Sequence, residues 1–110
     1  IKIAITANAN AVTVAEHVMF VLLNIAKRRK LYHTTVKEGN FKDRNKLPKT
    51  IEVWKKNFLI MGFGRIGKAL IKRCLGFEMN VFVYDPFKIV QKPLYVILSD
   101  QLMGKFVHQL

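Results

Sequence analysis

The chain has 110 residues, about half of them hydrophobic, and a formal charge of +12 from 19 Lys and Arg against 7 Asp and Glu. That size supports one small domain with a buried core and excludes wholesale disorder. A lone cysteine excludes an internal disulfide, and no apolar run reaches the roughly 18–20 residues of a membrane-spanning helix. The start has no secretory-leader pattern, so a reducing cytoplasm is the expected setting.

In chain order, residues 2–6 alternate weakly and fit a short strand. Thr13-Val14-Ala15-Glu16 has the spacing of a capping box, in which the Thr and Glu side chains satisfy amides of a first helical turn. A helix is predicted over 14–27. Val14, Val18, Val21, Leu22 and Ile25 share one face, and Met19, Phe20 and Leu23 make the rest largely apolar, so broad burial is expected. Glu16 and His17 point about 100° apart around a helix. With Glu16 in a capping role, the two are read as structural, not as an acid–base pair.

The basic run Lys27-Arg28-Arg29-Lys30 follows this helix, where cations suit the negative end of the helix dipole. The remaining lysines are spread from Lys2 to Lys105. No stacking-aromatic or helix-turn-helix signature goes with them, so a Lys-rich surface is preferred to a nucleic-acid interface. Residues 31–56 are polar, with Gly39, Asn40, Asp43, Asn45 and Pro48, and read as an extended connection with Trp54 packing at its end.

Phe58-Leu59-Ile60-Met61 is an apolar run that fits a strand buried on both faces. It leads straight into Gly62, Gly64 and Gly67, spaced G-x-G-x-x-G. The residues from Lys68 to Leu75 then read as a helix, with Gly67, Leu70, Ile71 and Cys74 on one face and Gly76 as a stop. Strand, glycine turn and helix in that order suit a dinucleotide. The first glycine makes the turn, the second admits a pyrophosphate to the backbone, and the third lets helix and strand pack closely. The helix start, with its positive dipole end, faces the phosphates. Asn80-Val81-Phe82-Val83-Tyr84 is the next strand. It ends at Asp85, 21 positions beyond Gly64, close to the spacing of about 20 expected of the acid that holds the adenosine ribose. A carboxylate there favours NAD, because it repels the extra phosphate of NADP. Cys74, on the apolar helix face, is read as buried structure and not as a nucleophile. No metal site is read from the sequence.

Further on, Lys92-Pro93 suggests a turn, and Leu94-Tyr95-Val96-Ile97-Leu98 a third strand. Ser99 is placed to cap a short helix carrying Leu102, Met103, Phe106, Val107 and Leu110, which Gly104 weakens. The fold class is α/β: a partial Rossmann-type parallel sheet, a βαβ unit plus a third strand, preceded by a long apolar helix.

Gly62-Phe63-Gly64-Arg65-Ile66-Gly67, the ending Val83-Tyr84-Asp85-Pro86-Phe87 and the upstream segment Asn10-Ala11-Val12-Thr13-Val14-Ala15-Glu16-His17 together resemble the NAD-dependent D-isomer 2-hydroxyacid dehydrogenases. The Tyr-Asp-Pro-Phe ending looks most like the phosphoglycerate dehydrogenase branch. The likeness runs in order from about Ile3 to Phe87. Leu59 departs from it, standing where the family usually has a small residue, and Ala7-Asn8 stands where it usually has Pro-Gly.

The resemblance implies that Gly62, Gly64, Arg65, Ile66, Gly67 and Asp85 bind NAD. It implies that the whole enzyme moves a hydride between the cofactor and C2 of a 2-hydroxy acid such as 3-phosphoglycerate. It divides the chain into the end of a preceding domain (1–12) and part of a NAD-binding domain (13–110). Within the latter lie a helix at a domain and dimer contact (13–30), an arm that wraps a partner subunit (31–56), the βαβ core (57–87) and a tail (88–110). The family's substrate-gripping Arg, its acid–base His and the carboxylate partner of that His come later than the ribose-binding acid. Nothing after Asp85 matches their motifs, and His108 has no such context. The chain is therefore expected to be the first half of a cofactor domain from a homodimeric enzyme, without turnover of its own. In an order 3-2-1-4-5-6 the first strand is central, so its outer edge is expected to be open and the isolated chain to associate. A non-catalytic NAD-binding or dimerising module and a basic nucleic-acid binder are the alternative functions.

Overall fold

The two strands predicted on either side of the glycine turn and its helix pair side by side in the computed structural model, which describes residues 1–3, 9–87 and 96–98, without the side chains of Arg44, Ile97 and Leu98. Strand β1 (Asn57–Met61) lies parallel to β2 (Asn80–Tyr84) in unbroken register, Asn57 opposite Asn80 and Met61 opposite Tyr84. A third parallel strand, β3 (Val96–Leu98), pairs with the far side of β2, giving the order β1-β2-β3. Among the described residues β1 is an edge strand, as expected for half of a doubly wound sheet.

Two helices precede the sheet, α1 (Ala11–Ala26) and α2 (Arg29–Lys37), and a third, α3 (Arg65–Gly76), crosses from β1 to β2. Helix α3 buries Gly67, Leu70, Ile71 and Cys74, the predicted face. These meet Ile60 of β1 and Val81 and Val83 of β2 in the core. Val83 and Cys74 are fully buried; burying a valine side chain contributes about 1.5 kcal/mol or more over leaving it in water.

Helix α1 lies on α3 and differs from its prediction. Its N-cap is Asn10 and no side chain closes a capping bond, so the Thr13–Glu16 capping box does not form. Glu16 instead reaches Arg73 of α3 at 3.0 Å; the pair is partly exposed and adds at most about 1 kcal/mol. The helix is not buried broadly. Ala15, Met19 and Ala26 are buried, with Val18, Leu22 and Leu23 packed beside them. Val21 and Ile25 of the predicted face are exposed, as are Val12 and Phe20. Small Ala15 lets the helices approach, and the Cys74 and Met19 sulfurs lie 3.8 Å apart.

The 31–56 connection is also more structured than its composition suggests. Helix α2 occupies its first part, and a 3-10 helix follows at Phe41–Lys46. Lys27 caps the end of α1, where a cation fits the dipole, but Arg29 and Lys30 fall in the first turn of α2, where it does not. Long-range bonds offset this. Arg28 Nε donates to the Lys49 carbonyl at 3.1 Å, the Tyr32 hydroxyl to the Pro48 carbonyl at 3.3 Å, and the Ile51 amide to the Ala26 carbonyl at 2.8 Å.

Gly76 is the last residue of α3 rather than the left-handed stop; Phe77 is the cap and Glu78 takes the positive φ. Of the strand suggested over 2–6, residues 1–3 form none, and the rest lies outside the described residues. The turn at Lys92-Pro93 and the helix after Ser99 also lie outside them, as does His108.

Candidate functional site

Every residue singled out in the glycine turn, together with Asp85, gathers where β1 and β2 end. Parallel pairing makes this inevitable: with Met61 opposite Tyr84, the next residue of one strand, Gly62, faces the next of the other, Asp85. The Gly62 amide donates to the Tyr84 carbonyl at 2.7 Å, extending the ladder one rung past the strands. Gly62 then takes φ +109°, which L side chains rarely adopt, and the chain turns away.

The following amide, that of Phe63, donates to Asp85 Oδ2 at 2.7 Å, and the Phe87 amide donates to Asp85 Oδ1 at 2.9 Å. The 2.7 Å bond is at the short end of the N–H···O range, as charge assistance produces. Phe63 itself is buried, with Lys68 Nζ 5.1 Å from the centre of its ring. The sequence pointed to Asp85 and the glycines but missed Phe63, whose contribution is a backbone amide and leaves no mark on residue choice.

The three glycines have different reasons to be glycine. A Cβ on Gly67 would collide with the Gly62 carbonyl oxygen and touch Ile60, so the third glycine is required by helix–strand contact. Gly64 is the N-cap of α3 with φ −82° and ψ −165°, extended backbone open to any residue. A Cβ there would meet nothing within 4 Å. Neither conformation nor packing demands glycine at 64; open space in front of the backbone remains as the reason, and this fits a group that must come close.

That space is the upper end of a groove of about 670 Å³. It runs along the outer edge of β1 from Phe58 to Met61, past Gly62 and Gly64, and onto Arg65, Ile66, Gly67 and Leu70 of α3, with Val18 of α1 on its wall. Leu59, where the resembled family has a smaller residue, lines it too. Arg65 and Ile66 are exposed in the first turn of α3. The first amides of a helix have no acceptor within it and carry the positive end of the dipole, so the end of the groove at α3 has the electrostatics that suit an anion.

Other candidate groups stand apart. Glu16 is engaged with Arg73, and the His17 ring lies 5.9 Å from that of Phe20. Burial pushes the Cys74 thiol up to about 11, which keeps it protonated at neutral pH. Among the described residues no three His, Cys, Asp or Glu side chains could hold a metal, and no helix is long and apolar enough to cross a membrane.

A family model for the NAD binding domain of D-isomer specific 2-hydroxyacid dehydrogenases matches residues 19–103. The D-3-phosphoglycerate dehydrogenase of Archaeoglobus fulgidus is 36% identical over 78 residues, covering 71% of this chain and 14% of that one. The hydroxypyruvate reductase of Thermotoga maritima is 36% identical over 88 residues, covering 80% of this chain and 28% of that one. Among solved structures, a NAD-dependent formate dehydrogenase from Staphylococcus aureus in complex with NAD superposes with a TM-score of 0.76 at 29% identity, covering 86% of this chain and 28% of that one. The chain thus spans less than a third of the length of each.

Proposed function

This chain belongs to the D-isomer specific 2-hydroxyacid dehydrogenase family, in its NAD binding domain, and on that premise we propose that it is the cofactor-holding part of an oxidoreductase acting on a 2-hydroxy acid such as 3-phosphoglycerate. NAD, when bound, supplies the carbon that accepts or gives up the hydride. This chain's residues bind and orient it. Gly62 turns the backbone, Gly64 leaves room, and the amides opening α3 at Arg65, Ile66 and Gly67 take the diphosphate. Asp85 accepts the adenosine ribose hydroxyls, and its charge discriminates against NADP.

The observation that carries this reading is the 2.7 Å bond from the Phe63 amide to Asp85. It joins the acid at the tip of β2 to the turn that ends β1, which supports one ligand reaching both. No catalytic residue is assigned to this chain, and by itself it is expected to bind NAD without turnover. We assign residues 1–12 to the end of a preceding domain, 13–110 to part of the NAD binding domain, and the setting to the cytoplasm. The exposed Phe20, Val21 and Ile25 on α1 support a homodimer that covers them.

Titration of NAD into wild type, Asp85→Ala and Gly64→Val tests the reading. Each substitution is expected to weaken binding at least about tenfold, the worth of one lost charge-assisted hydrogen bond or of a blocked approach. Wild-type affinity in both variants overturns it.

A further inference from the structure

We propose that Asp85 is a positioning residue as well as a sugar ligand: its carboxylate is the clamp that holds the phosphate-facing turn in its binding shape before any cofactor arrives. This rests on the assignment of that turn to a diphosphate. The sheet ladder stops at the Gly62 amide, which bonds the Tyr84 carbonyl at 2.7 Å. Asp85 and Pro86 follow β2, and Pro86 has no N–H with which to continue the ladder back to the Gly62 carbonyl. At this point the backbone of β1 swings off at the positive φ of Gly62, carrying the Phe63 amide past the last main-chain rung. The Asp85 side chain takes it instead, at 2.7 Å, and serves as the last rung of the sheet. Its other oxygen accepts the Phe87 amide at 2.9 Å, which fixes the carboxylate from its own side. Phe63 is therefore tied by its backbone to β2 while its ring is buried. With Gly62 and Phe63 held, the next residues open α3 in one orientation.

Two oxygens facing two N–H donors need a carboxylate. An asparagine has one oxygen, so one of the two amides would face an NH₂ group. The Phe63 amide, committed to Asp85, is not among the donors offered to phosphate, and the grip starts in the first turn of α3.

The clamp makes a prediction whose sign opposes simple electrostatics. A carboxylate beside an anion site repels the anion, so removing its charge should tighten binding of an anion that carries no ribose. If the carboxylate shapes the turn, removing it should weaken that same binding. The probe is inorganic pyrophosphate, measured on wild type, Asp85→Asn and Asp85→Glu of the full chain, with amide hydrogen exchange at Phe63 and Val83 in the cofactor-free protein. The Phe63 amide of wild type is expected to exchange slowly, like a sheet amide. Asp85→Asn should speed it about tenfold or more relative to Val83 and weaken pyrophosphate severalfold, and Asp85→Glu should recover part of both. The clamp is overturned if Asp85→Asn binds pyrophosphate as well as or better than wild type, or if the wild-type Phe63 amide exchanges like an open turn. Should Asp85→Asn fail to fold, wild-type exchange and Asp85→Glu decide. Should wild type bind neither NAD nor pyrophosphate, the cofactor reading falls, while exchange at Phe63 still judges the clamp.

Discussion

The two ends of the β1–β2 pair solve the same backbone problem with different residues. Where the strands finish, Gly62 takes a positive φ and two more glycines follow within five residues. Where they begin, Lys55 and Glu78 both sit at φ +54°, although neither is glycine. Left-handed backbone costs a non-glycine residue about 1–2 kcal/mol, and at this end bonds hold it in place. The Lys55 amide donates to the Glu78 carbonyl at 3.0 Å and the Asn80 amide to the Lys56 carbonyl at 2.9 Å. Trp54 Nε1 reaches Glu78 Oε2 at 2.9 Å, and Lys55 Nζ lies 4.3 Å from the centre of the Trp54 ring. A turn that only has to close can keep its side chains and bear the strain. The turn proposed to face the cofactor gives them up, even at Gly64, where φ is ordinary and a Cβ would meet nothing within 4 Å.

The sharpest way to break this contrast is Gly67→Ala. The added methyl runs into the Gly62 carbonyl, so helix and turn must separate. A loss of about 1–3 kcal/mol in denaturant unfolding is expected, together with loss of measurable NAD binding by calorimetry. Gly64→Val should divide the two effects. NAD affinity falls at least about tenfold, yet stability changes by less than about 1 kcal/mol, the cost of a poorer N-cap. Equal stability losses in Gly64→Val and Gly67→Ala would erase the distinction between approach and packing.

At the opposite end, Trp54→Phe removes the bond to Glu78 and keeps the ring. Thermal unfolding should report a loss of about 1 kcal/mol, with NAD affinity unchanged. The smallest effect is expected of Lys55→Gly, which relieves the left-handed strain while losing the contact with Trp54. Its stability should move by about 1 kcal/mol or less, in the stabilising direction if strain dominates, and its NAD titration should overlay wild type. A change in NAD affinity from either substitution would mean that the two ends are coupled through the strands.

Much of the site could be read from the residues because its rules are local. Four apolar residues running into G-x-G-x-x-G, a helix face at 67, 70, 71 and 74, and an acid at the end of the next strand each depend on a short stretch of chain. Other parts could not be read. Helix α1 is apolar nearly all round, so periodicity barely distinguishes one burying face from another, and packing on α3 chose Ala15, Val18, Met19 and Leu22 over Val21 and Ile25. Its start could not be placed either, since Asn10 and Thr13 are both competent caps. Helix α2 carries cations in its first turn and no acidic residue there, and the bonds that fasten it come from Pro48 and Lys49, more than a dozen residues away.

By itself the sequence determined where an apolar strand meets side-chain-free positions, which face of α3 packs inward, and that an acid closes the following strand, but not that β1 buries only Ile60 and leaves Met61 exposed at the sheet edge. Steric demands and hydrophobic period act within a few neighbours, so they are written in residue choice. The tertiary structure decided how α1 is rotated, that residues 29–37 coil into a helix, and that a side-chain oxygen of Asp85 receives the Phe63 amide 22 positions earlier. Those outcomes depend on the register between distant segments. A backbone amide offers every residue the same donor, so the sequence carries no sign of which one will be used.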